Sequence, residues 1–238
     1  MKKVFLIGDS LMQDYNGSLY PQYGYGTLIK PFIKDDILVF NLARAGASTK
    51  SFINEKRFDF VKNNIEKDDL LIIEFGNNDE KIEDVNRGTK RDSEFLDNIS
   101  YFIETAKNVC ANFILLTSPT RHNFINNMIE DNHKGYPKAL VDFALKNNYY
   151  IIDLNEITKE YYNALGESET ESFHLIFDAG YYKRFNDGVK DHSHYTYKGA
   201  LFIASIIIKE LEKSYKLFNE YFNSYNEVIE YNEALKLI

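Results

Sequence analysis

Short apolar runs alternate along this chain with longer segments in which apolar residues recur every three or four positions. The runs have the length and the Val, Ile and Phe content of buried strands. They are Val4–Ile7, Ile37–Asn41, Leu70–Phe75, Phe113–Thr117 and Tyr149–Asp153. Because strands that alternate with helices build parallel sheets covered on both faces, the pattern predicts one α/β domain.

Helices are predicted between these strands and after the last of them. Two of the helical patterns consist of Phe95, Ile99, Phe102, Ile103 and Ala106, and of Ala139, Leu140, Phe143 and Ala144. A last helix is expected from Lys198 to about Tyr215, with an inward face formed by Ala200, Ile203, Ala204, Ile207 and Leu211. Apolar residues at this spacing form one face of a helix, and that face packs on the sheet.

Residues 216–238 carry a further helical pattern. Its apolar positions are Phe218, Tyr221, Phe222, Tyr225, Ile229 and Leu235. Two interpretations stay open at this point: the helix packs back on the same domain, or it forms a contact in a homodimer.

The charge balance argues against nucleic acid and anionic lipid as partners. The chain has 238 residues, with 36 acidic and 28 basic side chains and a net charge of −8, so it offers no basic surface for phosphate groups. Its one cysteine, Cys110, cannot form an internal disulfide. Cys110 lies in a stretch expected to be buried, Asn108–Leu116, and is predicted to be a small core residue.

The first residues are not expected to be a signal peptide. The apolar run after Met1 ends at Gly8, which is too short for a signal-peptide core. No other apolar run is long enough to cross a bilayer. A cytoplasmic protein without membrane contact is therefore expected, unless a leader was removed.

Glycine and small polar residues follow three of the predicted strands. These segments are Gly8–Leu11, Asn41–Gly46 and Gly76–Asp79. Ligands of open parallel sheets bind beyond the carboxyl ends of the strands. We therefore expect the three segments to meet in one site.

The first of these segments contains a candidate nucleophile. Serine attack on an ester needs an exposed hydroxyl, a base and donors for the oxyanion. Ser10 follows a strand and a glycine, so a tight strand-to-helix turn can project its hydroxyl and direct its backbone N–H to the oxyanion. Gly46 can supply a second N–H, and the Asn78 amide a third donor.

The candidate base lies just before the last helix, in Asp191–His194. On a single turn, Asp191 can accept the Nδ1 proton of His194 and leave Nε2 free to face Ser10. His192 is a weaker candidate for the base. A metal site at Asp191, His192 and His194 is the alternative, but the other histidines lack the spacing of ligands.

In their order and spacing, these segments resemble the four blocks of the SGNH (GDSL-type) hydrolases. The resemblance implies a three-layer flavodoxin-like α/β/α fold with a five-stranded parallel sheet over residues 1–215, and no cofactor. It implies Ser10, Asp191 and His194 as the catalytic triad. It also implies an oxyanion hole formed by Ser10, Gly46 and Asn78, in agreement with the roles argued from the residues themselves.

Further stretches are similar to the rhamnogalacturonan acetylesterase group within these hydrolases. They are Pro21–Gly26, Gly46–Phe52, Thr117–Arg121 with Phe124, Gly135–Pro137 and Asn186–Gly188. The chain departs from that group at Asn77, Tyr25 and Ser193, where His, Trp and Thr are more usual. Asn77 and Tyr25 are therefore expected to affect substrate preference. Arg121 and His122 are expected in loops that bind sugar, although Arg121 also fits a plain surface charge.

Three functions remain at this stage. The first is a carbohydrate O-acetylesterase acting on pectin-type oligosaccharides, which the resemblance implies. The second is a lipase, thioesterase or lysophospholipase, because a fold does not fix the substrate. The third is a non-catalytic sugar-binding protein that retained the fold.

Overall fold

The computed structural model describes residues 1–130, 133–226 and 228. The strands in this part of the chain are β1 (Lys3–Ile7), β2 (Gln22–Tyr23), β3 (Leu38–Asn41), β4 (Leu70–Glu74), β5 (Asn112–Leu116), β6 (Phe124–Ile125), β7 (Met128–Ile129), β8 (Ile151–Ile152), β9 (His174–Phe177) and β10 (Val189–Thr196). Five of them form a parallel sheet in the order β3-β1-β4-β5-β8. The predicted sheet is confirmed, although β8 is only two residues long.

The described α-helices are α1 (Tyr25–Ile29), α2 (Thr49–Asn54), α3 (Asp59–Asn64), α4 (Leu96–Asn108), α5 (Tyr136–Asn147), α6 (Leu154–Leu165), α7 (Glu167–Glu171) and α8 (Tyr197–Ser214). One turn of π-helix, Arg91–Phe95, leads into α4. Short 3₁₀ helices span Lys30–Phe32 and Lys216–Glu220. None of the helices in these ranges is both long and apolar enough to span a bilayer.

Alternate residues of β1 enter two separate cores. Val4 and Leu6 pack on one face with α1 and α8, whereas Phe5 and Ile7 pack on the other face with helices α2 to α5. All four side chains are fully buried. Because a strand in the middle of a layered fold is covered on both faces, its sequence is continuously apolar. The predicted three-layer α/β/α architecture is confirmed.

The strand order creates a crevice at the carboxyl end of β1. The chain pairs β3 on one side of β1 and then crosses to pair β4 on the other side. The loops that leave these strands diverge at such a switch point, and ligands bind there. The segments that begin at Gly8, Leu42 and Phe75 leave the sheet at this edge.

A second, antiparallel sheet of order β2-β10-β9 was not expected from the sequence. It changes the interpretation of Asp191–His194, which lies within β10 and not on a helix-like turn. The pairing of β10 with β9 shifts register between Asp191 and Tyr195. The chain bends here, and the Asp191 carboxylate holds the bend. This irregularity lets side chains three positions apart meet on one side of a strand.

Two other expectations differ from the structure. Cys110 is exposed, not buried, because it occupies a left-handed turn (φ 59°) between α4 and β5. In the tail, Lys216–Glu220 is a 3₁₀ helix where a longer α-helix was expected. Phe218, Tyr221 and Phe222 are buried against the core that contains α1 and α8. The predicted helical positions Ile229 and Leu235 lie outside the described residues.

The first turn of α8 allows a direct test of the packing around β10. A Cβ added to Gly199 would lie 2.0 Å from the carbonyl oxygen of Phe173. Helix propensity alone favours alanine by about 1 kcal/mol. We expect the opposite for Gly199→Ala, a loss of about 2 kcal/mol in the free energy of unfolding, because the clash is with backbone.

Urea unfolding measures this change. The control is Ser214→Ala at the exposed end of α8, for which we expect a change within about 0.5 kcal/mol. A Gly199→Ala variant as stable as the parent would contradict the close approach of α8 to Phe173.

Candidate active site

Ser10 lies in a single tight turn directly after β1. The backbone N–H of Gln13 donates to the carbonyl oxygen of Asp9 at 3.1 Å and closes this turn. The Asp9 carboxylate accepts the N–H of Leu11 at 2.8 Å, and the Tyr15 hydroxyl donates to the carbonyl oxygen of Ser10 at 2.9 Å. No regular helix follows at once, since α1 begins at Tyr25, so the expected strand-to-helix turn is corrected to an isolated one.

The structure brings together the three side chains that the sequence predicted as a group. His194 Nε2 lies 2.9 Å from Ser10 Oγ, across 184 positions of sequence. On the other side of the ring, His194 Nδ1 lies 2.7 Å from Asp191 Oδ2. The alternative base, His192, instead contacts the carbonyl oxygen of His122 through Nδ1 at 2.6 Å. Only His194 of these two histidines contacts Ser10.

Asp191 holds both the backbone and the ring of His194. Its Oδ1 accepts the backbone N–H of Ser193 at 2.9 Å and of His194 at 3.0 Å. Burial opposes the charge of this carboxylate, but the bonds from the His194 side chain and from these two backbone groups hold the pKa of Asp191 well below its usual range. The ionised carboxylate favours the tautomer with its proton on Nδ1, and Nε2 can then accept a proton from Ser10.

Two backbone N–H groups are available beside the Ser10 hydroxyl. Within the described residues, neither the N–H of Ser10 nor that of Gly46 is donated to an acceptor. Gly46 has φ 77°, a left-handed conformation that costs glycine little. The capping box of Ser48 and Ser51 begins α2 immediately afterwards and fixes this loop.

The Asn78 amide is already engaged within the protein. Its Nδ2 donates to the carbonyl oxygen of Ala47 at 3.0 Å and, more weakly, to Asp9 Oδ2 at 3.2 Å. Its Oδ1 accepts a hydrogen bond from Lys81 Nζ at 2.8 Å. These contacts fix the amide at the carboxyl end of β4, and its donation to an oxyanion stays a prediction.

A pair of buried carboxyl groups lies beneath the turn of Ser10. Asp9 and Glu74 are both fully buried. Burial raises the pKa of Asp9, and burial together with the nearby charge of Asp9 raises the pKa of Glu74 further. Donors point at Asp9 from Leu11 and Asn78 and favour its ionised form, whereas the charge of Asp9 favours the protonated form of Glu74. The sequence signal for this pair is the single acidic residue in the apolar run Leu70–Phe75.

The structure does not support sugar binding by Tyr25 or His122. Tyr25 has no exposed surface and packs in the core beside β1. His122 is buried, and its Nε2 bonds to Thr170 Oγ1 at 2.9 Å. We therefore revise both predictions: these aromatic rings fill the interior beneath the loops, where a sugar cannot reach them without displacing packed side chains.

Arg121 and Asn77, by contrast, lie together next to the candidate site. The guanidinium of Arg121 donates to Asn77 Oδ1 at 2.5 Å and pairs with the carboxylate of Glu80. The other carboxylate oxygen of Glu80, Oε2, lies 3.4 Å from His133 Nδ1. Burial opposes the charge of Glu80, but these partners hold the pKa of its carboxyl below the usual value. Arg121 is thus a fixed, ion-paired group and not a free surface charge.

Comparison with known sequences identifies a family and two relatives for this chain. Residues 4–207 match the family described as GDSL-like Lipase/Acylhydrolase. The chain is 34% identical over 217 residues to rhamnogalacturonan acetylesterase RhgT of Bacillus subtilis (strain 168), covering 90% of this chain and 92% of that protein. It is 27% identical over 210 residues to the probable rhamnogalacturonan acetylesterase YesY of the same organism, covering 88% and 92%.

Solved structures show the same fold. The crystal structure of protein YXIM from Bacillus subtilis superimposes with a TM-score of 0.75 at 22% identity, covering 89% of this chain and 56% of that one. This chain therefore spans little more than half the length of that protein. The acetylxylan esterase Axe2 from Geobacillus stearothermophilus superimposes with a TM-score of 0.62 at 14% identity, covering 88% and 94%.

The bonds to Asp191 predict a dependence of stability on pH. We expect Asp191→Asn to lower the free energy of unfolding by about 2 kcal/mol at pH 7, the scale of hydrogen bonds to a charged acceptor. The folded-state pKa of Asp191 is lowered. Its contribution is therefore complete above the unfolded pKa of about 3.9 and is lost as the pH falls towards the folded value.

Urea unfolding of parent and variant at pH 7 and pH 3 measures this effect. The difference in the free energy of unfolding between the two proteins should be smaller at pH 3 than at pH 7. Asp187→Asn is the control, because Asp187 is an exposed carboxylate in the same loop region. A gap of equal size at both pH values would contradict the ionised acceptor.

Proposed function

The chain belongs to the GDSL-like lipase/acylhydrolase family and is a carboxylic ester hydrolase, and we propose that it removes O-acetyl groups from carbohydrate through a Ser10, His194 and Asp191 triad. The observation that carries the proposal is the continuous line of contacts from Ser10 Oγ through the His194 ring to Asp191. Such a line is what nucleophilic attack by a serine requires.

The proposed reaction has two halves. Ser10 Oγ attacks the acetyl carbonyl carbon while its proton passes to His194 Nε2, and the imidazolium is stabilised by Asp191. The tetrahedral intermediate collapses as His194 returns that proton to the departing sugar oxygen, which leaves an acetyl group on Ser10. Water then attacks the acetyl carbon and gives a proton to His194. Collapse of the second intermediate releases acetate and restores the Ser10 hydroxyl.

The oxyanion is proposed to accept hydrogen bonds from the N–H groups of Ser10 and Gly46. Neither group donates elsewhere in the described chain, so using them breaks no existing bond. Asn78 is proposed as the third donor. Of the two bonds that its Nδ2 donates, the one to Asp9 is the longer at 3.2 Å, and that proton is the one expected to turn to the oxyanion.

Two observations favour a small acyl group on a sugar. The names of the two Bacillus subtilis relatives both describe acetylesterases of rhamnogalacturonan, and the identity to the first extends over nine tenths of this chain. In addition, two charged side chains lie next to the proposed oxyanion donors: Lys81 beside Asn78 and Arg87 beside Gly46. Such groups suit a hydroxylated substrate better than a long acyl chain, which gains from apolar surface.

Acetate release tests the proposed nucleophile. We expect the protein to release acetate from O-acetylated pectin oligosaccharides, and Ser10→Ala to lower kcat by about 10⁴-fold or more, because loss of a triad nucleophile leaves only the binding and oxyanion contributions. Ser100→Ala on α4 is the control, since the Ser100 hydroxyl bonds to its own helix. Retained activity in Ser10→Ala would refute the assignment.

The length of the acyl chain separates an acetylesterase from a lipase or thioesterase. On nitrophenyl esters of rising chain length we expect kcat/KM to fall by about tenfold or more between butyrate and octanoate, because an acyl pocket sized for acetyl would exclude the added methylenes. Steady-state kinetics measures this series. A rate that rises with chain length would favour the lipase alternative and contradict the acetylesterase.

A further inference from the structure

The two halves of the proposed triad lie on different sheets. Ser10 follows β1 of the parallel sheet, whereas Asp191 and His194 lie in β10 of the antiparallel sheet. The described strands of one sheet do not pair with those of the other. The contact of 2.9 Å between Ser10 Oγ and His194 Nε2 therefore depends on bonds other than strand pairing.

Tyr15 forms one such bond at the nucleophile. Its hydroxyl donates to the carbonyl oxygen of Ser10 at 2.9 Å, and the residue is only 7% exposed. Burial raises the pKa of Tyr15, and the charges of Asp9 and Asp191 raise it further, against an opposing effect of the bond from Gln22. The hydroxyl therefore keeps its proton and remains a donor to Ser10.

The same hydroxyl is bonded from the antiparallel sheet. Gln22 Nε2 donates to Tyr15 Oη at 3.1 Å. Gln22 lies in β2, where it is opposite Thr196 of β10. Thr196 is two residues beyond His194 in that strand. A line of bonds thus runs from the strand of the proposed base, through Gln22 and Tyr15, to the backbone of Ser10.

This line can set the distance between the hydroxyl of Ser10 and the ring of His194. The bond to the Ser10 carbonyl oxygen restricts rotation of the peptide that follows Ser10, and so limits where Oγ points. Groups misplaced by about 1 Å can lose about 10²-fold in rate. Within the described residues, neither Tyr15 nor Gln22 bonds to Ser10 Oγ or to the His194 ring. Any effect on the reaction is therefore through alignment.

We propose that Tyr15 and Gln22 are positioning residues that hold the nucleophile and its base at reacting distance across the two sheets. Tyr15 acts through the backbone of Ser10. Gln22 fixes the Tyr15 hydroxyl to the pair of strands that includes His194. The inference rests on the proposed triad and adds to it two residues that touch neither substrate nor proton.

Hydrolysis of nitrophenyl acetate tests the proposal. Tyr15→Phe removes a single oxygen atom, and we expect kcat to fall by about tenfold, the scale of one net hydrogen bond. KM should stay within about twofold, because no contact with the substrate is changed. Gln22→Met keeps the length of the side chain without its amide and should show a similar fall. The double variant should also lose about tenfold and not about a hundredfold, because both changes break the same line.

Tyr221 provides a matched control at the opposite edge of the parallel sheet. Its hydroxyl donates to the carbonyl oxygen of Asp68 at 2.8 Å and accepts from Asn112 Nδ2 at 2.6 Å. Asp68 precedes β4 and Asn112 begins β5, so these bonds lie at the amino ends of the strands. Tyr221→Phe should lower the midpoint of urea unfolding about as much as Tyr15→Phe does, and keep kcat within about twofold of the parent.

A second measurement needs neither an acetyl group nor a sugar. A fluorophosphonate probe labels an activated serine when the serine oxygen attacks phosphorus and fluoride leaves, and the reaction requires the serine to be aligned with its base. The rate at which Ser10 is labelled, followed by the mass of the intact protein, should fall by about tenfold in Tyr15→Phe and in Gln22→Met. It should be unchanged in Tyr221→Phe.

The outcomes separate the inference from the proposed function. Parental kcat and labelling in Tyr15→Phe, with an inactive Ser10→Ala, would overturn the positioning role and leave the triad supported. Equal losses in Tyr15→Phe and Tyr221→Phe would overturn it as well, because the cause would then be a general loosening of the fold.

Two further results also decide. Losses that multiply to about a hundredfold in the double variant would show two separate actions and contradict a single line of bonds. Slower nitrophenyl acetate hydrolysis and labelling in both single variants, from a parent that releases no acetate from any carbohydrate, would refute the carbohydrate acetylesterase and support the positioning role.

Discussion

The arrangement of the site depends on one carboxylate in a bent strand. Asp191 accepts two backbone N–H groups and the Nδ1 proton of His194, and these three bonds are possible only because β10 departs from regular pairing between Asp191 and Tyr195. A regular strand would send residues three positions apart to opposite faces. The bend turns the His194 ring towards Ser10, and the parallel sheet supplies the other half of the contact by presenting Ser10 at the carboxyl end of its interior strand β1.

Burying polar groups beneath Ser10 costs folding free energy, and the geometry of the site requires this burial. Burying carboxyl groups such as Asp9 and Glu74 is unfavourable unless each is neutralised or hydrogen-bonded. Asp9 accepts hydrogen bonds from the N–H of Leu11 and the amide of Asn78, whereas Glu74 Oε1 accepts a hydrogen bond from the Ser118 hydroxyl at 2.6 Å. The same bonds fix the turn of Ser10 and the loop of Asn78 relative to one another. The cost of burial is thus linked to the rigidity that an oxyanion pocket requires.

The sequence predicts the central sheet well and the second sheet poorly, for physical reasons. A buried parallel strand is apolar on both faces, so a run such as Leu70–Phe75 can be recognised as a strand from the sequence. Strand β10 is polar and irregular. Its pairing with β9 is set by tertiary contacts, which the local sequence pattern does not predict. The meeting of Ser10 and His194 was predictable from residue chemistry and from the order of the four sequence blocks. The burial of Tyr25 and His122 was not, because an aromatic or histidine side chain fits a loop surface and a packed interior equally well.

The charges around the site also show why a motif alone does not identify a substrate. The residues proposed for attack on an ester, Ser10, Gly46, Asn78, Asp191 and His194, contain nothing that distinguishes one ester from another. Loops around a site, such as the one that follows β4 here, are where such a distinction is usually made. Loops held by a rigid sheet can change their charge without disturbing the nucleophile, so specificity and chemistry are separable here.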